Sequence, residues 1–267
     1  MKNTPFIAVT SQPVPYHADT TAIFNTLCQQ NSNSLLLDSA EIGSKNSLQS
    51  LILINAAVKI TCLGNQVTFR ALNANGKQVL KEIHPVLSQL GTVSAVNFDD
   101  EFSVQFAPLD NQLDEDSKLQ AATIFDGLRV ISNHYQHSST PVFLGGLFAY
   151  DLVANFIPMQ GVELKDDGIH CPDYSFYLAE NLITIDHQSQ QATLKSFCFS
   201  QEEQVEVAKT ALSIAQKLRN IDGVLSIKAA SDKVSTNFED PEFTGIVKAL
   251  KHHINIGDVF QIVPSRR

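Results

Sequence analysis

One segment near the start of the chain places an acid and a hydroxyl group side by side after an apolar run. Leu35, Leu36 and Leu37 are followed directly by Asp38 and Ser39. A carboxylate accepts hydrogen bonds from an ammonium group, and a hydroxyl together with backbone N–H groups can hold a carboxylate. From the residues alone the segment is interpreted as a strand that ends in an Asp/Ser turn, in which these side chains bind backbone N–H groups.

A second segment, residues 257–267, has the sequence GDVFQIVPSRR. Gln261 interrupts its apolar run, and a neutral amide neither gives up nor accepts a proton at neutral pH. We therefore exclude Gln261 as a general acid or base. From the residues alone it is interpreted as a polar side chain that is hydrogen-bonded within a sheet.

The other candidate groups do not combine into a catalytic or metal-binding pattern. Gly145 and Gly146 fit neither GxGxxG nor GxxxxGK[ST], so close backbone packing is favoured over phosphate binding. Adjacent His252 and His253 would point about 100° apart on a helix, which prevents one metal ion from readily binding both. No Ser/His/Asp or Cys/His triad can be argued. Reduced thiols are predicted for the widely spaced cysteines, which are Cys28, Cys62, Cys171 and Cys198.

Composition places the chain in the globular class and argues against nucleic acids and membranes as binding partners. Of its 267 residues 43% are hydrophobic and 18% are charged, with a net charge of -9. This acidic balance, without a basic cluster, argues against nucleic-acid binding. The longest apolar stretch, 51–54, is far shorter than a membrane span, and the N-terminus lacks a secretory apolar region. A cytoplasmic location away from membranes is predicted.

Hydrophobic periodicity predicts the elements that must position these segments. A helix is expected over 20–30, a buried strand over 34–39, and a hairpin over 50–61 and 66–72 that turns at Gly64-Asn65. Further along, the pattern predicts one helix over 112–134, a hairpin over 182–186 and 192–197, and a helix over 202–219. The last helix has an apolar stripe made of Val205, Ala208, Leu212, Ala215 and Leu218.

A change in composition divides the chain. Residues 220–237 mix Gly, Ser, Lys and Asp with little periodicity, which is typical of a linker between a domain over 1–219 and a second unit over 238–267. In the second unit, Asp240 is predicted to cap a helix, Gly257 to end it, and 259–263 to form a buried strand. One helix and one strand cannot bury their own apolar faces, so we expect the sequence to be truncated.

Three motifs carry a resemblance to a known family. LLLDSAEIGSK at 35–45, GGLFAYDL at 145–152 and GDVFQIVPSRR at 257–267 resemble segments of the large, chorismate-using subunits of anthranilate synthases. The resemblance implies an α+β fold with largely antiparallel sheets packed with helices. It also implies that Ser39 and Asp38 contact tryptophan as a feedback inhibitor. Gln49 stands where some bacterial relatives have Lys.

The same resemblance implies an activity. Such enzymes add ammonia to chorismate and release pyruvate to leave anthranilate, the first step of tryptophan biosynthesis. Gln261 would lie at the edge of the chorismate pocket, where relatives that add water carry a Lys as general base. Mg²⁺ would bind the substrate carboxylate, and a glutamine amidotransferase subunit would supply the ammonia.

The resemblance assigns no catalytic residue, cofactor ligand or metal ligand to this chain. In the family these groups lie beyond the position of Arg267, so the chain alone is expected to be inactive. Residues 1–219 would be the regulatory domain and 238–267 the start of the catalytic domain. Two alternatives stay open: aminodeoxychorismate synthase component I, and a non-catalytic amino-acid-binding regulatory module.

Overall fold

The chain divides into two units, Met1–Val224 and Leu225–Arg267. The computed structural model describes residues 5–29, 31–38, 48–97, 100–108, 110, 112–136, 138, 140–157, 171–221 and 235–266. The division falls inside the segment 220–237 that the sequence predicts as a linker. The regulatory and catalytic roles of the two units stay predictions.

An antiparallel sheet forms the centre of the first unit. Nine strands of the described residues take part, in the order β1-β9-β8-β3-β4-β6-β5, while β2 also pairs with β3 and β7 with β8. Their bounds are β1 Ala8–Val14, β2 Leu35–Asp38, β3 Gln49–Leu63, β4 Gln66–Ala71, β5 Thr92–Asn97, β6 Glu101–Gln105, β7 Leu144–Phe148, β8 Tyr174–Asp186 and β9 Gln191–Cys198. The predicted α+β class with antiparallel sheets is confirmed.

Two long strands, β3 and β8, run side by side through the middle of this sheet. Both predicted hairpins are present, with β3 joined to β4 at Gly64 and β8 joined to β9 after Asp186. Gly64 has φ 57°, a left-handed conformation that glycine adopts without steric cost. The predicted strand at 34–39 is confirmed over Leu35–Asp38, but it is only partly buried because β3 is its single partner in the described sheet.

Helices cover both faces of the sheet, and their bounds are α1 Thr20–Cys28, α2 Ala74–Leu87, α3 Glu115–Gln120, α4 Asp126–His134 and α5 Gln204–Leu218. A short 3₁₀ helix spans Tyr150–Asn155. Helix α1 begins where predicted because the Asp19 side chain accepts a hydrogen bond from the Ala22 N–H. Helices α1 and α5 pack on the face that holds Ile52 and Ile54, and α2 and α4 pack on the larger core cluster.

The single helix predicted over 112–134 is wrong. The structure has α3 and α4, separated by Ala121, whose ψ of 141° is extended. The Asp126 side chain accepts a hydrogen bond from the backbone N–H of Thr123 over 2.7 Å. It also accepts one from the hydroxyl group of Thr123. Since this side chain satisfies a donor just before α4, a new helix begins there and the earlier one does not continue.

Helix α5 is confirmed, but Leu218 is the one member of its predicted apolar stripe that is buried, so the stripe is wrong at the other positions. Val205 and Leu212 are 66% and 59% exposed. The residues that face the sheet are Val207, Ala211, Ile214 and Leu218. Both sets have helical spacing, so periodicity identified the helix without deciding which side contacts the core.

The second unit contains helix α6, Asp240–Asn255, preceded by Glu239 as its N-cap. The predicted cap at Asp240 is therefore displaced by one residue, while Gly257 has φ 85° just past the helix end, as predicted. The strand predicted over 259–263 is wrong: 259–266 contains no helix or strand. The described part of this unit holds no strand that could pair with it, and a strand requires such a partner.

All four cysteines lie in described residues and are free thiols. Within the described ranges no helix combines the length and apolarity that crossing a membrane requires.

Candidate functional site

Asp38 ends strand β2 with its side chain exposed and both carboxylate oxygens hydrogen-bonded. Ser50, its antiparallel partner on β3, donates from Oγ to Oδ1 over 2.5 Å. Thr20, the first residue of α1, donates from Oγ1 to Oδ2 over 3.1 Å. Directly opposed residues of two antiparallel strands share a face, so the sheet register brings the acid and the serine together.

Behind Ser50 lies a histidine that the hairpin between β8 and β9 supplies. Nε2 of His187 is 2.8 Å from Ser50 Oγ, and its Nδ1 is 3.2 Å from the hydroxyl of Tyr16. The Tyr16 and His187 rings meet edge to face, with centroids 5.8 Å apart. The result is a chain of hydrogen bonds from Tyr16 through His187 and Ser50 to the exposed Asp38.

The N-terminus of α1 stabilises the negative charge of the Asp38 carboxylate, and this charge can attract a cationic ligand. Its carboxylate accepts from Thr20 at the N-terminus of α1, where unpaired N–H groups give a partial positive charge. The two hydroxyl donors occupy only part of the acceptor capacity of a carboxylate, which is about four lone pairs. An ammonium group can therefore still bind on the exposed side.

The structure locates only one of the two residues predicted to bind the inhibitor. Asp38 is described, whereas Ser39 falls in 39–47, outside the described residues. Gln49 is exposed and adjacent to buried Ser50, so its side chain lies on the other face of β3. Four residues of this site were not predicted from the sequence: Tyr16, Thr20, Ser50 and His187. The alternating pattern of β3 could have indicated only Ser50, as a polar residue on a buried face.

Gln261 belongs to the second unit, where its side chain is exposed. The interpretation of Gln261 as a hydrogen-bonded residue within a sheet is wrong, because the segment around it forms no strand in the described structure. Its predicted place at the edge of a chorismate pocket stays a prediction.

The glycine pair confirms the prediction of close backbone packing. Gly146 lies in β7 opposite Phe176 of β8. A Cβ atom at Gly146 would lie 2.2 Å from the carbonyl oxygen of Ser175 and 2.6 Å from the Cα of Phe176. Both contacts are with backbone, so a side chain does not fit here.

A second polar cluster is largely buried and consists of Glu180, Asn73 and Asn75. Glu180 is 6% exposed, and its Oε2 accepts hydrogen bonds from the side-chain amides of Asn73 and Asn75, each over 2.9 Å. Burial raises the pKa of Glu180 above its ordinary value, in opposition to these two hydrogen bonds. These hydrogen bonds connect α2 with β8. Because the two amides already bind the carboxylate and little of it is exposed, the cluster offers no ligand site.

No group of three or more His, Cys, Asp or Glu side chains that could hold a metal ion occurs among the described residues. Mg²⁺ needs oxygen ligands in a near-octahedral arrangement.

Comparisons with known proteins give a consistent family. Residues 78–267 match the chorismate binding enzyme family. The chain is 86% identical over 262 residues to anthranilate synthase component 1 of Haemophilus influenzae, covering 98% of this chain and 51% of that protein. It is 41% identical over 273 residues to anthranilate synthase component 1 of Vibrio cholerae, covering 100% of this chain and 51% of that protein.

The chain thus spans about half the length of the curated relatives it matches. Among solved structures, anthranilate synthase component I of Streptococcus pneumoniae is similar with a TM-score of 0.38 and 14% identity. That similarity covers 82% of this chain and 41% of the solved one, and it is too low to support an argument about the fold.

Proposed function

Because the chain belongs to the chorismate binding enzyme family, we propose that it is part of an anthranilate synthase large subunit. The proposed reaction adds ammonia to chorismate, loses the 4-hydroxyl group as water and eliminates pyruvate, which leaves anthranilate. The observation that carries this proposal is the 86% identity to a component 1 protein over 98% of the chain. Because the match covers 98% of the chain, it extends into both units.

The residues at the end of the chain support ammonia rather than water as the nucleophile. Ammonia is strongly nucleophilic without assistance, whereas water must lose a proton to a general base. Gln261 is neutral and cannot act as that base. We therefore assign Gln261 to the edge of the chorismate pocket and place the catalytic residues and the Mg²⁺ ligands in sequence beyond Arg267.

We assign a regulatory role to the first unit, with residues 1–219 as a tryptophan-binding domain, 220–237 as a linker and 238–267 as the start of the catalytic domain. The support is the exposed carboxylate of Asp38, which hydroxyl groups of Ser50 and Thr20 orient. Asp38 would bind the ammonium group of tryptophan, and Ser39 would contribute a further contact.

We also propose that a glutamine amidotransferase subunit supplies the ammonia in the cytoplasm. The name component 1 in the relatives is consistent with an enzyme of more than one component. A copurification of that partner with the full-length protein, lost when the second unit and all that follows are removed, would support this assembly.

The test of the activity compares two proteins. The full-length protein from the source should form fluorescent anthranilate from chorismate, ammonium and Mg²⁺, and should release pyruvate in equal amount. The chain that ends at Arg267 should form none, since the assigned catalytic groups are absent from it. Anthranilate formation by the shorter chain would contradict the assignment of the catalytic residues.

The alternatives give different outcomes in the same assay. Aminodeoxychorismate synthase activity would give an aminated product that retains the pyruvyl group, so pyruvate would not be released. A regulatory module would have a native mass equal to the chain's 29.3 kDa and would not use chorismate. A native mass of about 55–60 kDa, as a regulatory and a catalytic domain together require, would contradict that alternative.

A further inference from the structure

We propose that Ser50 and His187 are positioning residues that orient the Asp38 carboxylate to receive the ammonium group of the regulatory amino acid. This inference rests on the proposed tryptophan site at Asp38. It adds two residues, distant from Asp38 in sequence, that would determine inhibitor affinity without contacting the inhibitor.

The direction of each hydrogen bond follows from counting protons. An ionised carboxylate only accepts hydrogen bonds, so the single hydroxyl proton of Ser50 is donated to Asp38 over 2.5 Å. The 2.8 Å contact between Ser50 Oγ and His187 Nε2 therefore needs the proton of Nε2. When the ring carries this one proton, its Nδ1 is an acceptor and the Tyr16 hydroxyl donates to it.

The donor to Asp38 is held rigidly because it is enclosed by protein. Ser50 has 0% exposure, so no water competes for its hydroxyl group. His187 is anchored by its backbone N–H, which donates to the carbonyl of Leu48 over 2.9 Å. The Tyr16 ring packs against its side chain. These contacts leave the Ser50 hydroxyl one favourable direction, toward Asp38.

An oriented donor matters because the carboxylate itself is exposed. Without it, the Asp38 side chain would rotate, and ligand binding would have to restrict that freedom. With Ser50 and Thr20 each donating to one oxygen, the carboxylate plane is set while its charge is retained. The outward lone pairs then point in a constant direction toward the ammonium group.

Equilibrium dialysis of labelled L-tryptophan against the full-length protein tests the proposal. Ser50→Ala and His187→Phe should each weaken binding about tenfold, the effect of losing one hydrogen bond to a charged group. His187→Gln keeps an N–H donor near Nε2 and should recover part of the affinity. Gln188→Ala, an exposed position beside His187 in the same turn, is the matched control and should bind like the wild type.

A spectroscopic measurement separates positioning from a general effect on folding. In the wild type, nitrogen-15 NMR should show His187 as the Nε2–H tautomer, and Tyr16→Phe should shift the Nδ1 resonance by removing its donor. If a Ser50 variant fails to fold, the Tyr16→Phe and His187→Gln proteins still test the series of hydrogen bonds from Tyr16 to Asp38. The Nδ1–H tautomer in the wild type would overturn the proposed hydrogen-bond direction.

The outcomes distinguish this inference from the proposed site. If the wild type does not bind tryptophan, the proposed site fails and the inference fails with it. If the wild type binds and the folded Ser50→Ala and His187→Phe variants bind equally well, the inference alone is overturned and the site stands.

Discussion

The side-chain amide of Asn75 donates to the carboxylate of Glu180 over 2.9 Å, and the Asn75 side-chain oxygen accepts from the backbone N–H of Phe199 over 2.6 Å. The same amide also donates to the carbonyl of Phe197 over 3.0 Å. Asn75 therefore joins the first turn of α2 to β8 and to the end of β9. Since Asn75 is 2% exposed, no water replaces a lost partner.

The buried acid predicts an unusual dependence of stability on pH. Burial raises the pKa of Glu180 in the folded state, so its contribution to stability is complete below the ordinary Glu pKa and is lost as pH rises through the raised value. Glu180→Gln removes this loss. Relative to the wild type, its free energy of unfolding should therefore increase as pH rises.

Urea unfolding at several pH values measures this trend. Glu180→Leu, which removes the carboxylate acceptor shared by the Asn73 and Asn75 amides, should cost about 1–3 kcal/mol. Exposed Glu202→Gln is the control and should run parallel to the wild type. A parallel profile for Glu180→Gln would show that burial does not disfavour the charged carboxylate.

A second acid should show the opposite trend. Burial alone would raise the pKa of Glu82, but hydrogen bonds from His134, Gln78 and Tyr135 outweigh it, and the pKa lies below the ordinary value. The contribution of Glu82 to stability is therefore present above the ordinary Glu pKa and is lost as pH falls through the lowered one. Glu82→Gln should be most destabilised near neutral pH and approach the wild type in acid.

The same urea series compares Glu82→Gln and Glu180→Gln, which act as controls for each other because their slopes differ in sign. Tyr135→Phe should reproduce part of the Glu82→Gln effect, since the hydroxyl of Tyr135 donates to Glu82 over 2.9 Å. Equal slopes for the two glutamine variants would contradict the assigned environments.

The close approach of β7 and β8 predicts that Gly146→Ala is destabilising. The added Cβ would lie 2.2 Å from the Ser175 carbonyl oxygen, so the strands must separate at a cost of about 1–3 kcal/mol. Gly245→Ala in α6 is the control, because no atom lies within 4 Å of its added Cβ. Thermal unfolding of both should show a loss only for Gly146→Ala, and an unchanged transition would mean that the sheet accommodates the methyl group.

We expect the side-chain contacts of Arg266 to protect nearby backbone amides of the second unit from hydrogen exchange. Its Nη1 donates to Asp240 over 2.6 Å and its Nη2 to Thr236 over 2.8 Å, and the guanidinium lies 5.7 Å from the centre of the Phe243 ring. Exposed ion pairs and cation–π contacts each contribute about 1 kcal/mol or less. Arg266→Ala should therefore speed amide hydrogen exchange in the first turn of α6, where the Phe243 N–H is bonded to the Glu239 carbonyl, by roughly fivefold.

Arg266→Lys keeps the charge but not the planar fork, and it should fall between the wild type and Arg266→Ala. Salt should reduce the difference among the three proteins, because both interactions are electrostatic and near the surface. Identical exchange in the wild type and Arg266→Ala would contradict the anchoring role.

Local chemistry made part of the fold predictable. Helix α1 and both hairpins depend on caps, turns and alternation that neighbouring residues supply, and these were correctly predicted. Strand β1 was missed because Pro13 weakens the strand pattern, yet the strand lies at the edge of the sheet, where a proline is tolerated. Helix α2 was missed because Gly76 and Pro85 interrupt its pattern.

By itself the sequence determined the α+β class, the resemblance to chorismate-using enzymes and Asp38 as a candidate ligand. Only the tertiary structure decided which side of α5 faces the sheet and that 259–263 is not a strand. It also brought Ser50 and His187 to Asp38. The physical reason is the separation along the sequence of the residues that interact. Caps and turns involve residues a few positions apart, whereas burial and cross-strand pairing depend on segments as distant as β3 and β8.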